Sequence, residues 1–250
     1  MNLSLLIIYK SALTSIQNNY LTMTNKYSDL SLPQGLIISC QAPTDSPLNH
    51  PEVIAAMAQA SINQGASAVR IDTPSHIRAV RQRITQPIIG LWKQQIPGFE
   101  VYITPQFSDA EAIAKAGADI IAVDATARKR PGGETLATLI TRIHNELGKS
   151  VMADVDTIEA AQLAVEEGAD FVATTLYGYT EQTITKSPPG FELLKQIVKN
   201  LEVPAICEGG IASPTMAKKA MNLGANAVVV GTDITGIDSK VKAYKMEMIS

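Results

Sequence analysis

Short apolar segments alternate with longer amphipathic segments from residue 36 almost to the end of the chain. The apolar segments, each predicted to be a buried strand, lie at 36–40, 68–71, 88–91, 119–123, 151–154, 170–174, 204–207 and 227–230. Segments with helical periodicity lie between them, for example at 51–64, 134–147 and 157–167. Apolar strands that alternate with helices are typical of a parallel sheet covered on both faces. The pattern therefore predicts an α/β protein.

A Gly-Ala pair recurs before every second predicted strand. The pairs begin at Gly65, Gly117, Gly168 and Gly224, at intervals of 52, 51 and 56 residues. A glycine at such a position ends a helix in the left-handed conformation. Each interval holds two strand-helix units, so four pairs predict eight units and a closed (β/α)8 TIM barrel in a single domain. An open doubly wound sheet is the alternative, but it usually has one dominant glycine-rich loop after its first strand. Here CQAP follows at 40–43.

A ninth apolar run, VYI at 101–103, does not fit the count of eight strands. Nine residues, with Pro97 and Gly98 among them, separate it from Leu91. That is too short for a crossover helix, since a parallel connection needs a dozen residues or more. We therefore expect this run to be an extension within the loop after the third strand.

The length of 250 residues matches one barrel. We divide the chain into an N-terminal extension, 1–30, and the barrel, 31–250. Apolar residues at 3–8 are too few to span a membrane, and the extension has neither a basic leading region nor a clear cleavage site. A cytoplasmic protein is expected. Met23 is a plausible alternative start, so residues 1–22 are predicted to be dispensable or absent from the native product.

Composition narrows the classes of partner. A net charge of −3 and an aromatic content of 5% argue against a nucleic-acid-binding surface. Cys40 and Cys207 each end an apolar segment, which favours free thiols over a disulfide. The three histidines have no partner at metal-ligand spacing, so no metal site is expected.

Polar side chains follow most of the predicted strands. In a (β/α)8 barrel these positions meet at the C-terminal face, where active sites lie. The set predicts a polar pocket and comprises Gln41, Arg70, Asp72, Lys93, Asp124, Asp154, Thr174, Thr175 and Glu208. Lys93 follows an apolar strand and lies beside Trp92, so a desolvated lysine here is a candidate base or a Schiff-base nucleophile. A solvated loop lysine is the alternative.

Two consecutive strands end on glycine. Glu208 precedes Gly209 and Gly210, with Ser213 and Pro214 as a helix start. The next strand ends at Gly231 and Thr232. The last two loops of such a barrel often hold a phosphate on backbone N–H groups, although glycines also simply make tight turns. A base, a carboxylate and a phosphate anchor suggest proton abstraction beside a carbonyl on a sugar phosphate, or an aldolase reaction.

Nine segments resemble one family, the N-acylglucosamine-6-phosphate 2-epimerases, also called N-acetylmannosamine-6-phosphate 2-epimerases. They are GLIISCQAPTDSPL (35–48), ASAVRID (66–72), PIIGLWK (87–93), VYITP (101–105), GADIIAVDAT (117–126), ADVDT (153–157), GADFVATTLYGYT (168–180), ICEGGI (206–211) and AVVVGTDIT (227–235). The resemblance covers about residues 33–236, and the combination of SCQ…SPL, PIIGxxK and TTLxGYT is specific to that family.

The resemblance implies interconversion of N-acetylmannosamine 6-phosphate and N-acetylglucosamine 6-phosphate at C2, in sialic-acid or other amino-sugar catabolism. It implies that Lys93 removes the C2 proton and that Glu208 polarises the C1 carbonyl or assists proton transfer. Polar groups of the substrate would bind Gln41, Arg70 and Asp154. The phosphate site would comprise Gly209, Gly210, Gly231 and Thr232, with Gly178 and Tyr179 nearby. No cofactor is implied, and a homodimer is expected from similar barrels.

One position departs from the family pattern. Many members have EGR after the seventh strand, whereas this chain has Gly210 in place of the arginine. The basic segment ARKRPGGE at 127–134 is either a solvated loop or a cover for the phosphate. Two other functions stay open at this point. One is a Schiff-base aldolase or another phosphosugar isomerase, and the other is a sugar-phosphate binder without catalysis.

Overall fold

Eight parallel strands close into a barrel in the computed structural model, which describes residues 33–249. Each strand pairs with the next in sequence, and the first pairs with the last through Gly35 and Ala227. The strands are β1 (Gly35–Cys40), β2 (Ala68–Asp72), β3 (Ile88–Leu91), β4 (Ile120–Asp124), β5 (Ser150–Asp154), β6 (Phe171–Ala173), β7 (Ala205–Cys207) and β8 (Ala227–Val230). The predicted barrel is confirmed, and no predicted strand boundary shifts by more than one residue.

Helices follow the strands along the chain. They are α1 (Pro51–Asn63), α2 (Pro74–Arg81), α3 (Phe107–Ala116), α4 (Leu136–Arg142), α5 (Ile158–Glu166), α6 (Phe191–Asn200), α7 (Pro214–Asn222), α8 (Thr232–Thr235) and α9 (Ile237–Ile249). The helix predicted at 134–147 is divided. A short turn at Pro131–Gly133 precedes α4, and Ile143–Leu147 continues α4 as a π-helical turn.

Local chemistry fixes where several helices begin and end. Thr157 and Ser213 each accept a hydrogen bond from a backbone N–H in the first turn of the helix that follows. Proline occupies the first position of α1, α2 and α7, where its missing N–H costs nothing. The repeated glycines all have positive φ values, as the Gly-Ala pattern predicts. The sequence therefore carries its own signals for the turns between units.

The ninth apolar run lies in the loop after β3. Ile103 forms an isolated antiparallel bridge with Lys93, and its carbonyl accepts a hydrogen bond of 2.9 Å from the backbone N–H of Asp124. Val101 and Ile103 are both buried. This confirms the predicted loop extension, which holds Lys93 against the end of β4.

The main apolar core lies between the barrel and the surrounding helices. Strand residues such as Val69 and Ile71 point outward into it, whereas Arg70, between them, points into the barrel. Cys40 and Cys207 are buried free thiols, and burial raises the pKa of Cys40 to about 12 and that of Cys207 to about 11. Both thiols therefore stay protonated at neutral pH.

The predicted N-terminal extension, 1–30, and the alternative start at Met23 lie outside the described residues. Within residues 33–249, no helix is both long enough and apolar enough to cross a bilayer.

Candidate active site

A buried arginine joins two carboxylates inside the C-terminal half of the barrel. Arg70 of β2 donates to both oxygens of Asp154 on β5, with Nη1···Oδ1 at 2.9 Å and Nη2···Oδ2 at 2.6 Å. Its Nη1 also donates to Oε2 of Glu208, just beyond β7, at 2.6 Å. Arg70 is 1% exposed and Asp154 is fully buried. Three predicted site residues from three distant strands are therefore in direct contact.

Burial and charge shift the pKa values of this cluster in a definite direction. Burial alone would lower the pKa of Arg70, but Asp154 and Glu208 outweigh it and raise that pKa above its usual value. Burial raises the pKa of Glu208 to about 7, with a further contribution from Asp154, even though Arg70 and Lys93 favour the ionised form. Near neutral pH, Glu208 is therefore able to give or take a proton.

Lys93 lies on the rim of the barrel mouth. Its Nζ donates to Oε1 of Gln41 at 2.6 Å, and its backbone N–H donates to Oδ1 of Asp72 at 3.0 Å. Nε2 of Gln41 donates to Oγ of Ser39 at 2.9 Å, which fixes the orientation of the amide. The expectation that Lys93 is desolvated is wrong, because the residue is exposed. It lies beyond the end of β3, in a segment that pairs with Ile103 at the rim.

Two threonines after β6 hold the carboxylates in place. Oγ1 of Thr174 donates to the carbonyl of Glu208 at 2.9 Å and accepts from its backbone N–H at 3.1 Å. Oγ1 of Thr175 donates to Oδ1 of Asp154 at 2.5 Å. Thr174 therefore fixes the start of the loop after β7, while Thr175 supports the acceptor of Arg70.

Two of the predicted polar residues have local partners instead. Asp124, at the end of β4, accepts hydrogen bonds from Thr126 and from Nη2 of Arg128, the latter at 2.6 Å. Burial raises its pKa, with Arg128 and Thr126 acting in the opposite direction. Asp72 accepts from the backbone of Lys93, so it positions the lysine. The polar residues predicted to form one pocket are thus two groups, a central cluster and a set that supports the loops.

Tyr102 is a site residue that the sequence pattern did not reveal. Burial raises its pKa to about 12, and the nearby charges of Asp154 and Asp124 add to this shift. Its phenol therefore keeps its proton and is a hydrogen-bond donor at the barrel mouth. The apolar run at 101–103 contained a signal for it. The two outer residues of the run are buried, so in an extended segment the side chain of the central residue points to the opposite side.

A polar cavity of about 310 Å³ opens on the same face. Oδ1 of Asp156 is buried and makes no hydrogen bond with the described residues, whereas Oδ2 accepts from Thr180 at 2.7 Å. Loops after β3, β4, β5 and β6 form the cavity, and its lining residues are Glu100, Thr126, Ala127, Arg128, Asp156, Thr180, Glu181 and Gln182. The cavity offers donors and acceptors suited to a hydroxylated or amide-bearing ligand.

The two glycine loops, after β7 and β8, differ from the loop after β6 in whether their backbone N–H groups already have an acceptor. The N–H groups of Gly209, Gly210 and Thr232 donate no hydrogen bond to any residue within 33–249. By contrast, the N–H of Gly178 donates to Thr183 at 3.0 Å, and that of Tyr179 donates to Leu176 at 3.0 Å. Gly178 and Tyr179 therefore lie near the glycine loops, but their backbone N–H groups already form hydrogen bonds within their own turn.

The position of Gly210 explains why a larger residue does not fit this chain. Its φ is +69°, and a Cβ placed on it would lie 2.6 Å from Cβ and 2.9 Å from the carbonyl carbon of Pro188. An arginine here would displace the backbone of the loop after β6. The departure from EGR is thus matched by the packing of Pro188.

The basic segment at 127–134 is not a freely solvated loop. Arg128 pairs with Asp124, and Arg130 is 7% exposed, with Nη1 donating to the carbonyl of Pro105 at 3.3 Å. Burial lowers the pKa of Arg130, partly offset by Asp124 and Glu134. Both arginines therefore hold the segment onto the barrel.

Among residues 33–249, no group of three or more His, Cys, Asp or Glu side chains is placed to bind a metal ion.

Comparison with known proteins gives one consistent result. The family model described as "Putative N-acetylmannosamine-6-phosphate epimerase" matches residues 54–250. Two relatives carry the name "Putative N-acetylmannosamine-6-phosphate 2-epimerase". The one from Thermosynechococcus vestitus is 66% identical over 84% of this chain and 91% of its own length. The one from Synechococcus elongatus is 58% identical over 85% of this chain and 93% of its own.

Solved structures agree at the level of the fold. The N-acetylmannosamine-6-phosphate 2-epimerase from Clostridium perfringens superposes with a TM-score of 0.82 and 38% identity, over 85% of this chain and 93% of that one. Thiamine phosphate pyrophosphorylase from Pyrococcus furiosus has a TM-score of 0.54 and 14% identity, over 82% of this chain and 88% of that one. The second likeness concerns the fold alone.

Proposed function

The chain belongs to the N-acetylmannosamine-6-phosphate epimerase family, and from this premise we propose that it interconverts N-acetylmannosamine 6-phosphate and N-acetylglucosamine 6-phosphate. The two sugars differ only in configuration at C2. The enzyme is therefore an isomerase that breaks and re-forms one C–H bond. The observation that carries this proposal is the Glu208 carboxyl, with a pKa of about 7, bound to Arg70 and within electrostatic reach of Lys93.

The chemistry requires the open-chain sugar, because the C2 proton is acidic only beside a free C1 carbonyl. We propose that Lys93 takes this proton when its side chain is in the neutral amine form, and that it becomes an ammonium. The electron pair of the C–H bond forms the C1–C2 double bond, and negative charge develops on O1. Protonated Glu208, or the Arg70 guanidinium, stabilises that charge. Return of a proton to C2 from the opposite face gives the epimer and restores the carbonyl.

Proton return has two possible routes on this site. In one, a second acid on the opposite face supplies the proton, and Glu208 has a pKa suited to the task. In the other, the planar intermediate turns over and the ammonium of Lys93 returns the proton it took. Both routes keep the proton count balanced, and they differ in how much solvent hydrogen enters C2.

We propose that the phosphate binds the backbone of the last two loops. The N–H groups of Gly209, Gly210 and Thr232 have no acceptor within 33–249, and Gly231 precedes Thr232 in the same turn. An anion with several oxygens is a suitable acceptor for such groups. This contact would fix C6 near β7 and β8 and orient C2 toward the centre of the mouth.

The remaining polar groups are proposed to bind the rest of the sugar. Gln41 and Arg70 are assigned to its carbonyl and hydroxyl oxygens, because Nε2 of Gln41 and the guanidinium of Arg70 are N–H donors at the mouth. Asp154 is a weaker candidate for hydroxyl binding, since both of its oxygens already accept from Arg70 or Thr175. A cytoplasmic location, a homodimer and a place in sialic-acid catabolism stay predictions.

A proton NMR time course in D2O tests the proposal. N-acetylmannosamine 6-phosphate is incubated with the enzyme, and we expect the gluco epimer to accumulate with deuterium at C2. Epimer without deuterium would indicate a shielded return of the same proton by one base. No epimer, with binding intact, would contradict the proposal and favour a sugar-phosphate binder. A covalent adduct at Lys93 trapped by borohydride would instead favour the Schiff-base aldolase.

A further inference from the structure

The polar cavity of about 310 Å³ begins next to the central cluster of the site. Thr126, which lines it, lies two positions after Asp124 at the end of β4. Asp156, which also lines it, lies two positions after Asp154 at the end of β5. Two residues of extended chain cover only about 7 Å. A group attached to a sugar bound over Arg70 therefore reaches the cavity.

Three polar groups in and beside this cavity have no hydrogen-bond partner within residues 33–249. Oδ1 of Asp156 is an acceptor, and the residue is only 3% exposed. Nη1 of Arg128 is a donor, whereas its Nε and Nη2 already donate to Thr126 and Asp124. The phenol of Tyr102, within electrostatic reach of Arg128, is a second donor. A buried acceptor without a donor costs free energy, so a ligand that supplies a donor is favoured here.

Two threonines fix the orientation of the Asp156 carboxyl. Oγ1 of Thr180 donates to Oδ2 of Asp156 at 2.7 Å. Oγ1 of Thr183 lies 2.9 Å from that of Thr180 and accepts from the backbone N–H of Gly178 at 3.0 Å. With Oδ2 held on one side, Oδ1 is left as a preorganised acceptor, and a ligand that binds it loses little free energy in ordering the site.

Charge keeps the phosphate end of the sugar out of this cavity. Glu100, Asp156 and Glu181 line it, and its arginine, Arg128, is already paired with Asp124. A phosphate would therefore face repulsion here. The proposed phosphate loops follow β7 and β8, whereas loops after β3 to β6 form the cavity, on the other side of the mouth. A sugar phosphate that uses both regions places its uncharged end, at C1 and C2, toward the cavity.

Building on the proposed epimerase function, we infer that this cavity binds the acylamino group at C2, and that Asp156 makes the enzyme favour acyl chains that carry a hydroxyl group. Nη1 of Arg128 or the phenol of Tyr102 donates to the acyl carbonyl oxygen. A hydroxyl on the acyl chain donates to Oδ1 of Asp156. A plain acetyl group ends in a methyl, which leaves that oxygen without a donor.

A pair of substrates of nearly equal size tests this selectivity in the wild-type enzyme. N-hydroxyacetyl- and N-propanoylmannosamine 6-phosphate differ only in a terminal hydroxyl against a terminal methyl. We expect kcat/KM to be about ten- to hundredfold higher for the hydroxyacetyl substrate, the usual effect of a hydrogen bond to a charged group. Equal values for the two substrates, or a preference for the propanoyl substrate, would overturn the proposal.

Substitutions at Asp156 show whether this residue is the source of the preference. We expect Asp156→Leu to reduce the ratio of the two kcat/KM values to about one, because leucine has no acceptor. Asp156→Asn retains a partner for Thr180, which protects the fold, and its neutral amide should leave a ratio of only a few-fold. Glu159→Leu is the matched control, since Glu159 is exposed on α5, and it should keep the wild-type ratio. A wild-type ratio in both Asp156 variants, or an equal loss in the control, would contradict the assignment.

Binding measurements separate the acyl subsite from the proposed reaction. If the enzyme epimerised neither N-acetylmannosamine 6-phosphate nor the two analogues, the proposed function would fail. Calorimetric titration of the same two analogues would then test the cavity by itself. A Kd about tenfold lower for the hydroxyacetyl analogue would uphold the subsite, whereas equal Kd values would overturn it.

Discussion

Arg70 determines how charge is arranged in the candidate site. One guanidinium binds Asp154 through both of its terminal nitrogens and reaches Glu208 with one of them. A lysine could not make these contacts, because its ammonium lacks the planar fork of donors. The pair of Arg70 and Asp154 is thus held in place, and the position and proton affinity of Glu208 depend on it.

Lys93 is predicted to be the base, so its removal should affect turnover much more than binding. We expect Lys93→Ala to lower kcat by about 10²–10⁴-fold, the usual contribution of a general base. The Kd for the sugar phosphate should stay within about tenfold, because the proposed phosphate contacts of the backbone are unchanged. Single-turnover kinetics and calorimetric titration measure the two quantities.

A second lysine serves as the control for that variant. Lys149 lies before β5, at the opposite end of the barrel from the mouth, so Lys149→Ala should turn over at the wild-type rate. Near-normal kcat in Lys93→Ala would remove this residue from the mechanism.

The raised pKa of Glu208 has a consequence for stability. The folded protein holds the Glu208 proton more tightly than the unfolded chain does, since the pKa is about 7 rather than 4.5. This contribution to the free energy of unfolding is therefore full below about pH 4.5 and is lost as the pH rises to about 7. We expect Glu208→Gln to flatten the decrease between pH 5 and 8, as measured by urea denaturation.

An exposed glutamate provides the comparison. Glu192, on α6, is exposed, and Glu192→Gln should keep the wild-type slope. If Glu208→Gln kept the same slope as the wild type, the titration of Glu208 would not explain the pH dependence of stability.

At the level of elements, β3 shows how closely helices approach the barrel. A Cβ on Gly90 would lie 2.3 Å from Cγ2 of Ile113 on α3 and 3.0 Å from Cδ1 of Ile77 on α2. Two helices therefore pack against this strand at a distance that only glycine permits. The loop that follows carries Lys93, so this packing also sets the position of the proposed base.

We expect Gly90→Ala to destabilise the protein by about 3 kcal/mol, at the upper end for an overpacked core. Gly65→Ala is the matched comparison, because Gly65 has a positive φ but open space around its Cβ position. Its cost should be only about 1 kcal/mol, from backbone strain. Thermal and urea denaturation measure both, and equal losses would show that the close approach to Ile113 does not matter.

At the level of the whole molecule, barrel closure brings together residues that are far apart in sequence. Arg70 and Glu208 are 138 positions apart and yet share a 2.6 Å hydrogen bond. All eight strands of the barrel lie within 33–249. The strand ends that carry the candidate site therefore all belong to this part of the chain.

It follows that a variant beginning at Met23 should fold and turn over like the full chain. We expect the same Tm within about 2 °C and the same kcat/KM within about twofold. Differential scanning calorimetry and the epimerase assay measure these values. A large loss of either would show that residues 1–22 contribute to the barrel or to its site, against the prediction that they are dispensable.

Sequence alone was sufficient for the barrel and for much of the composition of its site. Strand and helix periods are local properties, and the Gly-Ala pairs mark the turns between units, so both can be counted along the chain. The rule that sites lie at the C-terminal ends of the strands then selected Arg70, Asp154 and Glu208. All three are in direct contact in the structure.

Tertiary structure alone decided how the selected residues interact. Residue type and spacing do not reveal burial, so Lys93 was expected to be desolvated but is exposed, while Glu208 has the raised pKa. Nor do they reveal packing between loops, which places Pro188 of the loop after β6 against Gly210 of the loop after β7. Both effects depend on distances between segments far apart in sequence, and those distances exist only once the barrel has closed.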